Sequence, residues 1–463
     1  MTLDTFATVE ELAERLIRRE ISAVELTRAH LERIKTLDQT LKAFCGVDED
    51  AAIGDAMRAD ALLANGASPS PLCGIPFAIK DIFDQANRRT RAGSNALNDR
   101  LPDRSAAAVA KLSEAGMVAL GRTHMVEFGF GGWGTNPVQG APCNPWGTDE
   151  RLVAGGSSSG SAVAVAAGLA PVALGTDTGG SIRTPASWCG VIGLKTSLGL
   201  VSRRGVVPLC PTHDSVGPMA RSVRDAALLL EAMLGSDERD RSTLCTPLIK
   251  PLEGIEKGIR GLRIGRLGER DLVGVEPDVR GQYERAVADF AKLGAEIQEI
   301  TLPLSASASL AGGGDIMSVE SNALLSHYVE APGSQVDPVI AERIRRGASI
   351  SGPAYYRALE QRREAQHDFA EAAANLDAFV TPGSHRTPVP LAAVDQNLPS
   401  NQFGRLVNYL DLAALVIPVG LTATGLPVGL QIVVKRFDDA LALRIGRTLE
   451  RERDGLFKPP PGF

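Results

Sequence analysis

The sequence predicts an α/β protein. Two observations carry that prediction. Short apolar runs with strand character (75–79, 117–121, 262–266, 426–434) alternate with stretches of helical spacing (105–115, 221–234, 278–293). The chain is also long, 463 residues with 44% hydrophobic, which is enough to bury a substantial core. That length fits one large domain with insertions, or two or three domains.

In chain order, two helices open the protein. Thr8-x-x-Glu11 is a capping box ahead of Leu12, Leu16 and Ile17, and Ser22-x-x-Glu25 is a second ahead of Leu26, His30, Ile34 and Leu37. They read as a helical hairpin. A further helix over 50–64 ends at Gly66. The apolar strand at 75–79 delivers Lys80 at its end, and the helix at 105–115 and strand at 117–121 complete a βαβ rhythm. Residues 127–140 are Gly-rich, with Trp133, Asn136 and Pro137, and predict a pocket-lining loop. Two glycine-serine loops, 155–161 and 178–181, flank a run of small apolar residues at 162–167. A helix follows over 221–234, then a polar linker over 235–257. The remainder reads as strand 262–266, helix 278–293, strand 296–302, helices 338–346 and 353–375, strand 378–381, helix 403–415, strand 426–434 and helix 438–453.

Composition removes several function classes. A net charge of −6 and 5% aromatic residues leave neither a basic footprint nor stacking platforms for nucleic acid. The six cysteines form no CxxC pair, which predicts free thiols in a reducing compartment. No run of about 18 apolar residues appears, and residues 1–10 show no signal pattern. A cytoplasmic protein without a membrane partner is expected. No His, Cys, Asp and Glu cluster suggests a metal.

Four features carry chemistry. Lys80 is either a strand-end lysine reaching solvent, with Asp81 as an ion-pair partner, or a desolvated lysine able to act as a base. Gly156-Ser157-Ser158-Ser159-Gly160 fits Gly-x-Ser-x-Gly, which would make Ser158 a nucleophile served by a later histidine. That reading needs a strand before the glycines, where 148–153 is polar, and a histidine from among His213, His327, His367 and His385. Asp177-Thr178-Gly179 resembles an aspartic-protease triplet but has no second copy. Thr178-Gly179-Gly180-Ser181 is either a tight turn or a row of backbone N–H groups ending in a serine, the layout of an oxyanion hole beside its own nucleophile.

With Lys80, residues 155–161 and residues 175–186, the chain closely resembles the amidase signature family. The resemblance covers nearly the whole length and includes 73–81, 121–128, Asn144-Pro145-Trp146 and 190–196. It implies one α/β domain over 1–463, built on a large twisted mixed β-sheet covered by helices on both faces. N-terminal helices would occupy 1–70, the catalytic core 71–235, a variable cap over the substrate mouth 240–400, and the rest of the core 401–463. The resemblance further implies a Ser–cis-Ser–Lys triad: Ser181 as nucleophile, Ser157 behind a cis peptide as relay, Lys80 as base. The N–H groups of Thr178, Gly179, Gly180 and Ser181 would hold the oxyanion. Gly129 would line the acyl pocket, Ser158 brace the Ser157 turn, Asp177 order the loop and Arg183 shape the site. No cofactor or metal is implied. Two departures stand out: Ser-Ser-Ser-Gly-Ser where Ser-Ser-Gly-Gly-Ser is commoner, and His124 where many relatives carry asparagine. His124 reads as a structural hydrogen-bonder.

The expected activity is hydrolysis of the C–N bond of small amide-like substrates through an acyl-enzyme on Ser181. The small-residue loop at 129–134, the apolar variable region and Tyr355-Tyr356 favour aryl or alkyl amides and anilides, with carbamates (urethanes) in range. The expected partner is the small-molecule substrate, bound by a monomer or homodimer. Other readings remain: the glutaminase component of a tRNA amidotransferase, set second by the acidic charge and the lack of a large tRNA-binding appendage; a Ser-His-Asp esterase using Ser158; and a non-catalytic member of an assembly.

Overall fold

The structure is a computed structural model and describes residues 3–147, 150–453 and 455–463. Its strands are β1 (Phe44–Val47), β2 (Pro76–Lys80), β3 (Val118–Thr123), β4 (Val172–Asp177), β5 (Ile192–Lys195), β6 (Ser215–Ala220), β7 (Arg263–Leu267), β8 (Glu296–Ile300), β9 (Ala378–Pro382), β10 (Ala413–Leu421) and β11 (Pro427–Val434). Among the described residues they form one sheet in the order β1-β3-β2-β4-β6-β5-β10-β11-β9-β7-β8. β2 runs parallel to β3 and β4, and β7 runs parallel to β8 and β9. The other pairs are antiparallel. The sheet is therefore mixed. Every residue of β2, β3, β4 and β11 is buried. Successive side chains point to opposite faces, so helices must cover both sides of the sheet's centre.

Both predicted capping boxes form, at Thr8 ahead of helix Val9–Ile17 and at Ser22 ahead of helix Ala23–Leu41. The βαβ unit falls where the spacing puts it, as β2, helix Ala107–Glu114 and β3. The stretch 403–415 differs from its reading as one helix. It splits into helix Gly404–Tyr409 and the start of β10, with the chain turning through Asp411 at φ 56°. Ala413-Ala414-Leu415-Val416-Ile417 is uniformly apolar, and such a run shows no period. Pairing with β5 on one side and β11 on the other makes it a strand.

Span 240–400 divides in two. β7, β8 and β9 extend the sheet beyond β11. Helices Ala306–Val329, Pro338–Arg345 and Gly352–Ala372 lie between them in sequence, and the first two contribute residues to the cavity at Ser181. Among the described residues no helix is long and apolar enough to cross a membrane, and all six cysteines are free.

Candidate active site

β2 and β4 are adjacent and parallel, so their last residues, Lys80 and Asp177, lie at the same edge of the sheet. Parallel strands commonly place ligand-binding groups at this edge. The loop after β4 turns at Gly180, whose φ of 110° suits glycine, and leads into helix Arg183–Cys189. The first glycine-serine loop enters helix Ser159–Ala166, and the Gly156–Ser157 peptide is cis. Gly160 is required by crowding: a Cβ there would come within 2.2 Å of the Ala43 carbonyl and 2.6 Å of the His124 nitrogen.

Lys80 is fully buried. Its Nζ donates to Ser157 Oγ at 2.8 Å and to Thr176 Oγ1 at 2.7 Å. Burial brings its pKa down to about 7, against the opposing pull of the Asp177 and Asp214 charges. Asp81 does not pair with it. Asp81 Oδ1 accepts from Arg122 Nε at 2.6 Å, so the ion pair open from sequence is not made.

Ser181 ties the two loops together: its carbonyl accepts from the Ser158 N–H at 3.1 Å. Its side chain lines a cavity of about 390 Å³ together with Gly129, Thr178 and Gly179. A Cβ on Gly129 would stand 3.5 Å from Ser157 Oγ, so this glycine leaves room directly over that hydroxyl. A second cavity of about 270 Å³ reaches Thr176 and shares Gly129, Thr178 and Leu209 with the first. Among the described residues the Ser157 and Ser181 hydroxyls are not hydrogen-bonded to each other; backbone brings them together.

Asp177 organises the loop that carries Ser181. Its Oδ1 accepts from Gly180 N at 2.9 Å and its Oδ2 from Ile182 N at 3.0 Å. Arg183, also fully buried, grips the same carboxylate through Nε (3.0 Å) and Nη2 (2.8 Å). Burial alone would raise the Asp177 pKa; the Arg183 guanidinium holds it well below the usual carboxylate range. Arg183 further donates to Gln431 Oε1 and Asn408 Oδ1, both at 2.6 Å. Arg183 therefore faces the protein interior. The Gly180 N–H, expected among the oxyanion donors, is committed to Asp177.

Ser158 is buried and donates to the Thr176 carbonyl at 3.2 Å. Among the described residues no histidine hydrogen-bonds it. His213 faces Cys210 Sγ at 3.2 Å, and burial keeps it neutral. His385 contacts Arg386 and Gln402, and His367 faces Glu371. Of the stretch 148–153, residues 148 and 149 lie outside the described residues. Leu152 and Val153 make isolated bridges to Pro390 and Cys143 rather than a strand. The His124 ring Nδ1 is buried without a partner, and it is the His124 backbone that bonds Ala43 and Gly160. Tyr355 donates to Glu320, and Tyr356 is 59% exposed. Neither lines the Ser181 cavity.

Sequence reasoning passed over Thr176, Asn408 and Gln431. Gln431 carried a signal, a lone amide within an otherwise apolar strand. Thr176 and Asn408 carried none. Among the described residues, no group of three or more His, Cys, Asp or Glu side chains is placed to hold a metal ion.

Comparison with known proteins gives this geometry a family. A family model described as Amidase matches residues 25–443. The chain is 36% identical to the A component of the glutamyl-tRNA(Gln) amidotransferase of Geobacter sp. (strain M21), covering 98% of this chain and 99% of that one. Among solved structures it resembles a vestigial protein complex tied to the origins of an s-triazine catabolic enzyme (TM-score 0.91, 30% identity, 98% and 100% of the two chains). It also resembles the peptide amidase of Stenotrophomonas maltophilia (TM-score 0.87, 31% identity, 98% of each chain). Matches of this length and level, made by a chain whose signature loops converge at one sheet edge, show that it belongs to the amidase signature family, enzymes that act on the C–N bonds of amides.

Proposed function

We propose that the enzyme hydrolyses a linear amide through an acyl-enzyme on Ser181, with Ser157 as proton relay and Lys80 as base. The single observation that carries this reading is the buried Lys80 Nζ held 2.8 Å from Ser157 Oγ, with a pKa near 7. A serine hydroxyl is a weak nucleophile until a base takes its proton, and lysine is a base only when neutral. Ser181 Oγ attacks the carbonyl carbon while its proton passes to Ser157 Oγ, whose own proton passes to Lys80 Nζ. As the C–N bond breaks, a proton returns by the same route to the departing nitrogen. Water then attacks the acyl ester, loses its proton along the relay, and frees the acid and the Ser181 hydroxyl.

The oxyanion is assigned to the N–H groups of Gly179 and Ser181, with Thr178 beside them. Each such donor is worth about 10²–10³ in rate. Asp177 and Arg183 hold the loop, Ser158 braces the Ser157 turn, and Gly129 keeps the acyl pocket open.

For substrate, a small primary amide of the glutaminase type is favoured over aryl amides. The full-length likeness to a component of glutamyl-tRNA(Gln) amidotransferase supports it. The Ser181 cavity supports it too, being lined by Arg343, Arg346 and Arg405 and not by Tyr355 or Tyr356. In that reading the chain works beside other protein chains. A stand-alone amidase, monomeric or homodimeric, is the second reading, supported by the likeness to a peptide amidase. A cytoplasmic setting suits the six free thiols. The test is product release from glutamine, primary alkyl amides, anilides and carbamates. Turnover of primary amides well above anilides and carbamates supports the first reading, and anilides or carbamates as best substrates would refute it.

A further inference from the structure

A cluster of arginines lies apart from the Ser181 cavity. Arg88, Arg89 and Arg91, in the segment after β2, meet Arg122 of β3 around a cavity of about 210 Å³. Residues 45–47 of β1 complete its wall. It shares no lining residue with either cavity described above. It backs on the lysine without entering its site: Lys80 turns to Ser157, and the next residue, Asp81, turns to Arg122.

Three carboxylates line the same cavity, Asp48, Asp55 and Asp81, and each is already engaged. Arg88 Nη2 pairs with Asp48 at 2.6 Å. Arg122 Nε donates to Asp81 at 2.6 Å. Asp55 pairs with Arg58, which lies outside the cavity lining. Among the described residues the side chains of Arg89 and Arg91 have neither a carboxylate nor a hydrogen-bond partner. Arg89 is exposed and Arg91 half-buried, so a solute can reach both. Arg122 is only 8% exposed; its Nη2 is spent on the Phe83 carbonyl, and its Nη1 is buried without a partner. A buried donor left unpaired costs free energy. The charges of Arg91 and Arg122 both act on the Cys45 thiol in the cavity wall, so they converge there. The whole chain carries −6, which disfavours anions at long range. The surplus of positive charge is local to this cavity.

We infer that this cavity is a phosphate site, taking inorganic phosphate or a small phosphate monoester on Arg89, Arg91 and Arg122. Guanidinium forks match phosphate oxygens. Three forks from two chain segments offer more donors than the two oxygens of one carboxylate can accept. A phosphoryl group brings three acceptor oxygens and a charge of about −1.5 to −2, which meets the surplus left after the internal pairs are made. Each charge-assisted contact of this kind is worth about tenfold or more in affinity. The inference is independent of the acyl-enzyme reading, because no residue of that chemistry lines the cavity.

The test is isothermal titration of the full-length protein at low ionic strength with inorganic phosphate, glycerol 3-phosphate and succinate. Saturable binding of phosphate or the monoester is expected, about tenfold or more tighter than succinate. Arg89→Ser and Arg91→Ser should each weaken it about tenfold, whereas Arg346→Ser, at the Ser181 cavity, should leave it unchanged. Arg122→Met is avoided because it would also strip Asp81 of its partner; the two chosen arginines hold nothing in place. A tighter monoester assigns the site to a phosphorylated small molecule and a tighter inorganic phosphate to the free ion, and either supports the inference. Absence of saturable binding by both phosphate probes overturns it. So does succinate binding as tightly as phosphate. Binding unchanged in both Arg89→Ser and Arg91→Ser also overturns it, including the case in which Arg346→Ser alone weakens binding, which would place the anion in the Ser181 cavity.

Discussion

Lys80 Nζ and Ser157 Oγ lie 2.8 Å apart although 77 residues separate them in the chain. The lysine ends β2 and the serine lies just ahead of helix Ser159–Ala166, which packs on β2 and β4. Burial of the ammonium away from water favours its neutral form, and the hydroxyls of Ser157 and Thr176 are the groups it faces.

The first prediction concerns pH. With the Lys80 pKa lowered to about 7, the competent base is the neutral amine, so kcat/KM rises with pH through about 7 and then levels. Lys80→Met loses about 10²–10⁴ in kcat/KM with an unchanged circular dichroism spectrum. Lys80→Arg loses a similar amount, because guanidinium stays charged. A pH-independent rate from about 5 to 9 would exclude lysine from the proton path.

The second concerns the Asp177–Arg183 pair, both fully buried. Asp177→Asn removes one charge and strands the other, at a cost of about 3–5 kcal/mol, read from urea unfolding. Because the Asp177 pKa is held below its ordinary 3.8, the pair's contribution is present above about pH 4 and lost as pH falls further. A loss under about 1 kcal/mol would show that the pair does not hold the loop.

Third, Gly160→Ala would set a methyl group against the Ala43 and His124 backbones. Overpacking of this kind costs about 1–3 kcal/mol. An unaltered urea midpoint would mean that helix Ser159–Ala166 can move aside.

Much of this was legible because it is local. Capping boxes need four residues, and the βαβ unit leading to Lys80 is continuous in sequence. The glycine-serine loops were recognisable because positive φ and close backbone approach restrict which residues fit, as at Gly180 and Gly160. What could not be read depends on distant partners. β10 is uniformly apolar, so only its neighbours in the sheet separate strand from helix. Asn408 and Gln431 meet Arg183 from elements more than 220 residues away. The identity of the Ser181 cavity depends on helices from residues 306–345, whose sequence alone did not say which face would meet the loop. Tyr355 and Tyr356 suggested an aromatic pocket, but the helix that carries them turns one toward Glu320 and the other to solvent.

Fourth, Ser158→Ala removes hydrogen bonds to the Thr176 backbone. At roughly 1 kcal/mol for such a bond, kcat falls about fivefold, with KM little changed. Loss on the scale of the Lys80 variants would return Ser158 to the reaction itself.

The decisive question is which serine carries the acyl group. The enzyme is quenched with acid during turnover of a primary amide, digested, and its peptides weighed and fragmented. An acyl adduct is expected on Ser181, absent in Ser181→Ala, and in Lys80→Met it should accumulate far more slowly. An adduct on Ser157 or Ser158, or full turnover by Ser181→Ala, would rule out Ser181 as the nucleophile.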